Sequence, residues 1–240
     1  MAFGAPPELA NAVASLRAQS APCEIVVVNS GGGPAKEILT EHLDVIRLIS
    51  VETRLYAGAV RNIGIDASTT RYVAFLASDC LATDGWVKGR LDAHRAGYDA
   101  VPSNVAPQRG ASVAARAVWL WLYSARLGTS PQVDDQIYNL SYNRTLFRHF
   151  GYFPPGVRIG EDSIFNRRLD KKIEIAKDAD IRHVHCFDQT SEAVAQNIQA
   201  RARRRVQKCI APDYRDPNRF CARIRELKRQ RLAHTMSALQ

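Results

Sequence analysis

Six residues, Cys23–Val28 (CEIVVV), apolar but for Glu24, stand between Pro22 and the loop Asn29-Ser30-Gly31-Gly32-Gly33. No other feature constrains the fold as strongly. An apolar run without alternation describes a strand covered on both faces, which is how the strands of parallel sheets read. Further strands are expected at Asp44–Ser50, at Arg71–Leu76 (RYVAFL) and at Tyr98–Pro102. Helical spacing fills the gaps. Residues 7–19 carry Leu9, Ala12, Val13 and Leu16 behind Pro7; PAKEILTEHL follows from Pro34; Ala57–Ser68 reads as a helix; Thr83 caps another through about His94. Strand and helix thus alternate over the first hundred residues with short connections. That pattern predicts an α/β fold with a mostly parallel, doubly wound central sheet flanked by helices. Ligands of such sheets bind outside the carboxyl ends of the strands, so chemistry is expected after CEIVVV and after RYVAFL.

The second half is less regular. Val113–Leu127 reads as an apolar helix bearing Trp119 and Trp121, which serve either core packing or stacking on sugar. Ile137–Tyr142 and Ile181–His185 read as strands, Glu161–Lys171 as a helix, and the chain from Ser191 as two basic helices broken near Pro212 and Pro217.

The 240 residues suffice for one large α/β domain with a helical appendage. No apolar run reaches the roughly 18 residues of a membrane span, and Met1–Pro7 lacks a signal-peptide pattern. Five cysteines without CxxC spacing suit a reducing compartment, so a cytoplasmic location is expected. Much of the net charge of +9 falls after residue 200, including Arg201, Arg203, Arg204, Arg205 and Lys208. Such a tail suits an anionic membrane surface or is simply a solvated helical face. Nucleic acid ranks below both, because the tail lacks regularly interleaved aromatics.

Several residue groups invite chemistry, each with a plainer alternative. Asn29 and the glycines after it suit close approach to a nucleotide, or only a tight turn; NSGGGP is not GxGxxG. Asp79, just past RYVAFL, suits a divalent ion on a diphosphate, or a turn aspartate. Glu161 and Asp162 open a helix, where capping suffices and a general base is the alternative. His183 and His185 alternate on one strand and so share a face, suited to a metal or to one buried and one exposed imidazole.

Taken in order, these segments resemble family 2 glycosyltransferases with the GT-A fold over roughly residues 2–205. SLRAQ followed by CEIVVVNSGG resembles the family's first helix and second strand, and AGAVRNIGI its "ARN" segment. RYVAFLASDC stands where the family has its DxD motif. NLSYNRTLFRHFGYF followed by GEDSIFNRRL resembles the acceptor-side segment and the ED motif. The resemblance implies a donor-nucleotide half over residues 1–104, an acceptor half over 105–190 and a basic helical extension over 206–240. It implies an inverting transfer from a nucleoside diphosphate sugar, a UDP-sugar first, to a glycan or lipid-linked hydroxyl. Asn29, Ser30, Arg61, Ala77 and Ser78 would meet the nucleotide-sugar. Asp79 and His185, with His183 as the fallback, would hold Mg²⁺ or Mn²⁺. Asp162, with Glu161 beside it, would act as the base.

The sequence also departs from the family pattern. Ala77 replaces the leading aspartate of DxD, and Asn29 replaces the usual aspartate. Ala2-Phe3-Gly4 resembles the end of the loop after the family's first strand, but the apolar strand itself is missing, which points to a start assigned too late or a trimmed chain. In a doubly wound sheet, that loss is expected to leave two strand edges unpaired. A non-catalytic nucleotide- or glycan-binding member, or a partner subunit, is the alternative function.

Overall fold

The apolar run forms a strand, Ile25–Ser30, two residues later at each end than the expected Cys23–Val28, so that Asn29 and Ser30 belong to the strand and not to the loop. The computed structural model describes residues 1–123, 139–158, 160–169, 172–176 and 181–186. In chain order the elements are β1 (Ala2–Phe3), α1 (Leu9–Arg17), β2 (Ile25–Ser30), α2 (Ala35–Ile38), a 3-10 turn (Thr40–His42), β3 (Ile46–Val51), α3 (Ala57–Ala67), β4 (Tyr72–Ala74), β5 (Cys80–Ala82), α4 (Trp86–Arg95), β6 (Ala100–Val101), β7 (Asn104–Pro107), α5 (Val113–Tyr123), β8 (Ser141–Asn143), α6 (Thr145–Phe150), α7 (Glu161–Leu169) and β9 (Arg182–His185).

Residues 1–108 and 132–186 form one compact unit, which carries every sheet described here. Strands β1, β2 and β3 lie side by side and parallel, with Ala2 opposite Asn29 and Ile25 opposite Ile46. A second sheet has the order β4-β8-β6 and is antiparallel throughout. A third places β9 between β5, antiparallel, and β7, parallel. The expectation of a parallel sheet therefore holds for the first three strands. Beyond them, β8 and β9 return from late in the chain and pair antiparallel with β4 and β5, which local periodicity cannot reveal.

Boundaries differ in instructive ways. RYVAFL forms only the three-residue β4, because Ser141–Asn143 offers three partners. PAKEILTEHL breaks into α2 and the 3-10 turn, and no side chain caps α2. Thr83 does not cap α4: its hydroxyl donates to the Arg182 carbonyl at 2.6 Å, and Gly85, at φ +76°, takes the N-cap position. The strands β5 and β7 and the helix α6 had no counterpart in the sequence reading.

Three apolar clusters hold this unit. Leu9 and Val13 of α1 pack with Ile25, Val27 and Leu39. Trp86 and Val87 of α4 pack with Val101, Ala176 and Ile181. The largest cluster joins Ile65, Val73, Tyr142, Leu146, Phe147, Phe153, Phe165 and Leu169. Here Phe153 and Phe165 meet with ring centroids 4.7 Å apart, and Tyr142 stands edge-on to Phe165 at 5.5 Å. Aromatic pairs of this kind add to area burial. Much of NLSYNRTLFRHFGYF is thus core that fixes the start of α7.

Helix α5 belongs to a second unit, described here over residues 109–123; the Ser112 hydroxyl accepts from the Ala115 amide at 3.1 Å, and Trp119 is partly buried. The Trp121 side chain, the expected continuation to Leu127, residues 137–138 of the strand expected at Ile137–Tyr142, the last two residues of the Glu161–Lys171 helix, the basic helices after Ser191, the boundary at 205 and the extension 206–240 lie outside the described residues. Among the described residues, no helix is long and apolar enough to cross a membrane.

Candidate active site

The carboxyl ends of β1 and β2 and the segment after β4 converge. Gly4 donates its amide to the Ser30 carbonyl at 2.9 Å; the Met1 nitrogen donates to Leu76 O and Ser78 N donates to Met1 O, both at 3.1 Å. Asn29, Ser30, Ala77, Ser78 and Asp79 are thereby gathered at one edge, as expected of a doubly wound fold.

Asn29 is fully buried. Its Oδ1 accepts from the Ala5 amide at 3.0 Å and its Nδ2 donates to the Gly32 carbonyl at 2.7 Å. The amide ties the turn after β1 to the glycine loop, and Ser30 is buried beside it. The glycines answer to the same contact. Gly31 and Gly33 have φ of +80° and +90°, and a Cβ at Gly33 would lie 2.6 Å from the Gly4 carbonyl oxygen. Only glycine accepts both conditions without strain.

Phe3 was not singled out in the sequence. Its ring is 51% exposed at this edge, with the Arg54 guanidinium 4.5 Å from its centroid. The signal that could have found it is its place in Ala2-Phe3-Gly4, the segment that resembles the end of the loop after the family's first strand.

Asp79 and His185 meet although their segments are far apart in sequence. Pairing of β5 with β9 sets Cys80 opposite His185, and the Cys186 amide donates to the Asp79 carbonyl at 2.8 Å. His185 Nε2 then lies 3.4 Å from Asp79 Oδ2, with Asp79 half exposed. Cys80 completes a group whose ligand atoms all lie within 4.8 Å of one another. Burial, and then the Asp79 carboxylate, push the Cys80 thiol up from its ordinary value. A carboxylate oxygen with an imidazole nitrogen suits a hard or borderline divalent cation, whereas a protonated thiol is a poor ligand for one. The residues present therefore fit Mg²⁺ or Mn²⁺ through Asp79 and His185. His183 is directed elsewhere: it is buried, with Nδ1 3.1 Å from Ser103 Oγ and Nε2 2.9 Å from Asn139 Nδ2. The two imidazoles do not share a site.

Helix α7 opens on the paired carboxylates. Glu161 is buried in an ion pair with Arg61, whose guanidinium also sits 5.3 Å from the Phe153 ring and 5.5 Å from the Phe75 ring. Arg61, expected at the nucleotide, is thus paired with Glu161. Asp162 is only partly buried, and its Oδ1 accepts from the Ser163 amide at 2.8 Å.

This α/β unit, with a candidate cation site near the ends of its strands, has the GT-A-type fold of nucleotide-sugar transferases. The family model for glycosyl transferase family 2 matches residues 1–174, and the chain belongs to that family. Among solved structures, S. aureus TarS 1–349 in complex with UDP-GlcNAc is 17% identical at a TM-score of 0.56, over 81% of this chain and 59% of that one. The mannosyltransferase PcManGT from Pyrobaculum calidifontis, in complex with GDP-Man and Mn²⁺, is 16% identical at a TM-score of 0.62, over 83% and 59%. This chain therefore spans under two thirds of the length of either. No curated protein matches the sequence.

Proposed function

We propose that this chain transfers a sugar, with inversion, from a nucleoside diphosphate sugar to a hydroxyl of a glycan or lipid-linked acceptor. The observation that carries the proposal is the meeting of Asp79 and His185 at the edge where the strands end. Solved neighbours carry UDP-GlcNAc and GDP-Man, which supports a nucleotide-sugar donor here, a UDP-sugar first. Asp79 and His185 would hold Mg²⁺ or Mn²⁺, whose charge offsets that developing on the departing diphosphate. Ala77 and Ser78 flank the same site through backbone. Asn29 and Ser30 act by shaping the glycine loop against which the nucleotide would lie. Phe3 offers the base a stacking face, an interaction worth about 1–3 kcal/mol. Phe3→Ala should weaken UDP binding roughly ten- to a hundredfold by calorimetry, and unchanged affinity would remove Phe3 from the donor site.

Arg61 and Glu161 place the start of α7, and Asp162 serves as base. In the displacement the acceptor oxygen bonds to the anomeric carbon while the anomeric carbon–phosphate oxygen bond breaks. The electron pair leaves with the nucleoside diphosphate, and the hydroxyl proton goes to the Asp162 carboxylate. General-base assistance contributes typically 10²–10⁴-fold. Asp162→Asn should therefore lower metal-dependent UDP release, in the presence of acceptor, by at least about a hundredfold without loss of folding. Equal release by the variant would exclude this base.

A second reading has its own support. Ala77 supplies no carboxylate, and the Asn29 side chain is satisfied by the Ala5 amide and the Gly32 carbonyl. A non-catalytic nucleotide- or glycan-binding member, or partner subunit, would bind UDP yet release none from any donor, which the same assay separates. For the expected contacts of the basic tail, sedimentation with anionic vesicles at low salt is the test.

A further inference from the structure

Cys80 stands at the candidate cation site, yet the proposed transfer gives it no work. It is buried, and β5 sets it directly opposite His185 of β9. Directly opposed residues of an antiparallel pair point to the same face, with Cβ atoms about 4.5–5.5 Å apart. Backbone pairing therefore holds thiol and imidazole together. Asp79, the residue before Cys80, offers a carboxylate to both: Oδ1 lies 3.6 Å from Cys80 Sγ and Oδ2 3.4 Å from His185 Nε2. The peptide around them is pinned as well. The Cys80 amide donates to the Ala77 carbonyl at 3.1 Å and the Cys186 amide to the Asp79 carbonyl at 2.8 Å.

Zinc bound tetrahedrally, with Zn–S about 2.3 Å and Zn–N and Zn–O about 2.0–2.2 Å, holds its donors roughly 3.3–3.6 Å apart. The carboxylate oxygens stand at those separations from sulfur and nitrogen before any ion arrives. One ligand atom from each of the three residues lies within 4.8 Å of the others, so no pair has to close by more than about 1.5 Å to reach a tetrahedral edge. Two donors adjacent in the chain and a third across the ladder make a chelate that side-chain rotation alone completes. Asp79 is half exposed, which gives an ion its way in.

We propose that Asp79, Cys80 and His185 form a Zn²⁺ site, with Cys80 the residue that selects Zn²⁺ over Mg²⁺ and Mn²⁺. The affinity of a mixed nitrogen, oxygen and sulfur site rises from Mn²⁺ to Zn²⁺, and a thiolate sharpens that preference. Mg²⁺ demands oxygen donors in an octahedron and gains nothing from sulfur. Three protein donors complete a zinc site with one water, whereas Asp79 and His185 alone leave most of an octahedral ion's shell to solvent or diphosphate. A protonated thiol is a poor ligand, but a coordinating thiol is deprotonated outright. The Zn–S bond replaces the S–H bond and the proton passes to buffer, with no change of oxidation state. Zn²⁺ here uses the cation site of the proposed function, on which reading this one rests, but it needs no sugar transfer. It displaces Mn²⁺ with no nucleotide present.

The full chain is titrated with Co²⁺, whose bond to a thiolate gives a near-ultraviolet charge-transfer band, and then with Zn²⁺. Wild type should show the band at stoichiometric Co²⁺ and lose it to Zn²⁺. Cys80→Ser should abolish the band and weaken Zn²⁺ binding by at least about tenfold, with Mn²⁺ affinity, read by electron paramagnetic resonance, unchanged. Cys186→Ser, which alters the neighbouring thiol, should keep the band. A band that survives in Cys80→Ser, or equal loss of Zn²⁺ and Mn²⁺ affinity in that variant, overturns the proposal. Should Cys80→Ser fail to fold, zinc K-edge absorption decides, on a protein whose other cysteines are changed to serine. Sulfur at about 2.3 Å from the zinc supports the site, and a shell of nitrogen and oxygen alone refutes it. Mn²⁺ bound by wild type without any Co²⁺–thiolate band removes Cys80 and leaves Asp79 and His185 as proposed; binding of neither ion removes both readings.

Discussion

Glu161 and Asp162 are adjacent carboxylates with different surroundings, and the difference assigns their work. Glu161 is buried against Arg61, so it is already spent on holding α3 to α7. Removing one partner of such a pair typically costs about 3–5 kcal/mol, because the other charge is left buried. Asp162 carries no such duty, which is why the base is proposed there. The sequence placed both carboxylates at a helix start, and only the resemblance put the base at Asp162; the physical difference between them depends on an arginine a hundred residues away. His94 makes the same point for stability. It is buried, stacked on Tyr72 at 4.2 Å, with Nδ1 2.8 Å from the Tyr98 carbonyl and Nε2 2.9 Å from Ser141 Oγ. Burial lowers its pKa below 6.5, helped by Arg90 and Arg71, while the Tyr98 carbonyl and Asp99 oppose the shift. The unfolded chain thus binds the proton more readily than the folded one. The stability His94 contributes is present above pH 6.5 and drains away as pH falls through 6.5 toward its lowered folded value. Wild type should lose more Tm than His94→Gln between pH 7.5 and 5.5, with other histidines cancelling in the difference. Parallel pH profiles for the two proteins would show that His94 stays neutral for no energetic reason.

At the scale of elements, helix α3 carries two glycines with opposite reasons. A Cβ at Gly58 would stand 2.4 Å from the Pro154 carbonyl oxygen and 3.4 Å from Glu161 Cβ, so this glycine lets α3 approach the segment that leads into α7. A Cβ at Gly64 would meet only Val28 Cγ2, at 3.8 Å. Gly64→Ala should therefore stabilise by about 0.5–1 kcal/mol through helix propensity, whereas Gly58→Ala should destabilise by roughly 1–3 kcal/mol through overpacking. Urea midpoints decide: equal shifts of one sign would mean that the contact with Pro154 imposes nothing. Both glycines read alike in AGAVRNIGI, and only the packing tells them apart. The same limit governs the strands. β2 and β3 were legible because six apolar-leaning residues suffice as a pattern. β5 and β7 have three and four residues; they exist because β9 returns to pair with them. Their stability is tertiary, so no local window contains it.

Across the whole sheet-bearing unit, the order of motifs was legible and the meeting of the motifs was not. Asp79 and His185 were each named from the sequence, but their contact depends on β9 crossing back between β5 and β7. This topology makes a bound cation a clasp. Its ligands come from two segments that only the native pairing of β5 with β9 brings together, so binding to the folded chain is coupled to folding. At a free ion concentration about a hundred times Kd the added stability is roughly 2.7 kcal/mol, equivalent to about 5–10 °C in Tm for a chain of this size. Mn²⁺ should raise the wild-type Tm in that range, and amide exchange should slow in β5 and β9 together. Asp79→Asn and His185→Gln should each remove most of the rise, since one neutral or mismatched ligand leaves the other too weak alone. Cys80→Ser should retain it, because the thiol sits beside the pair without being needed for a hard cation. Should Mn²⁺ stabilise the His185→Gln protein as fully as wild type, the cation is held by Asp79 without the returning strand. The clasp, and with it the role given to β9, would then be wrong.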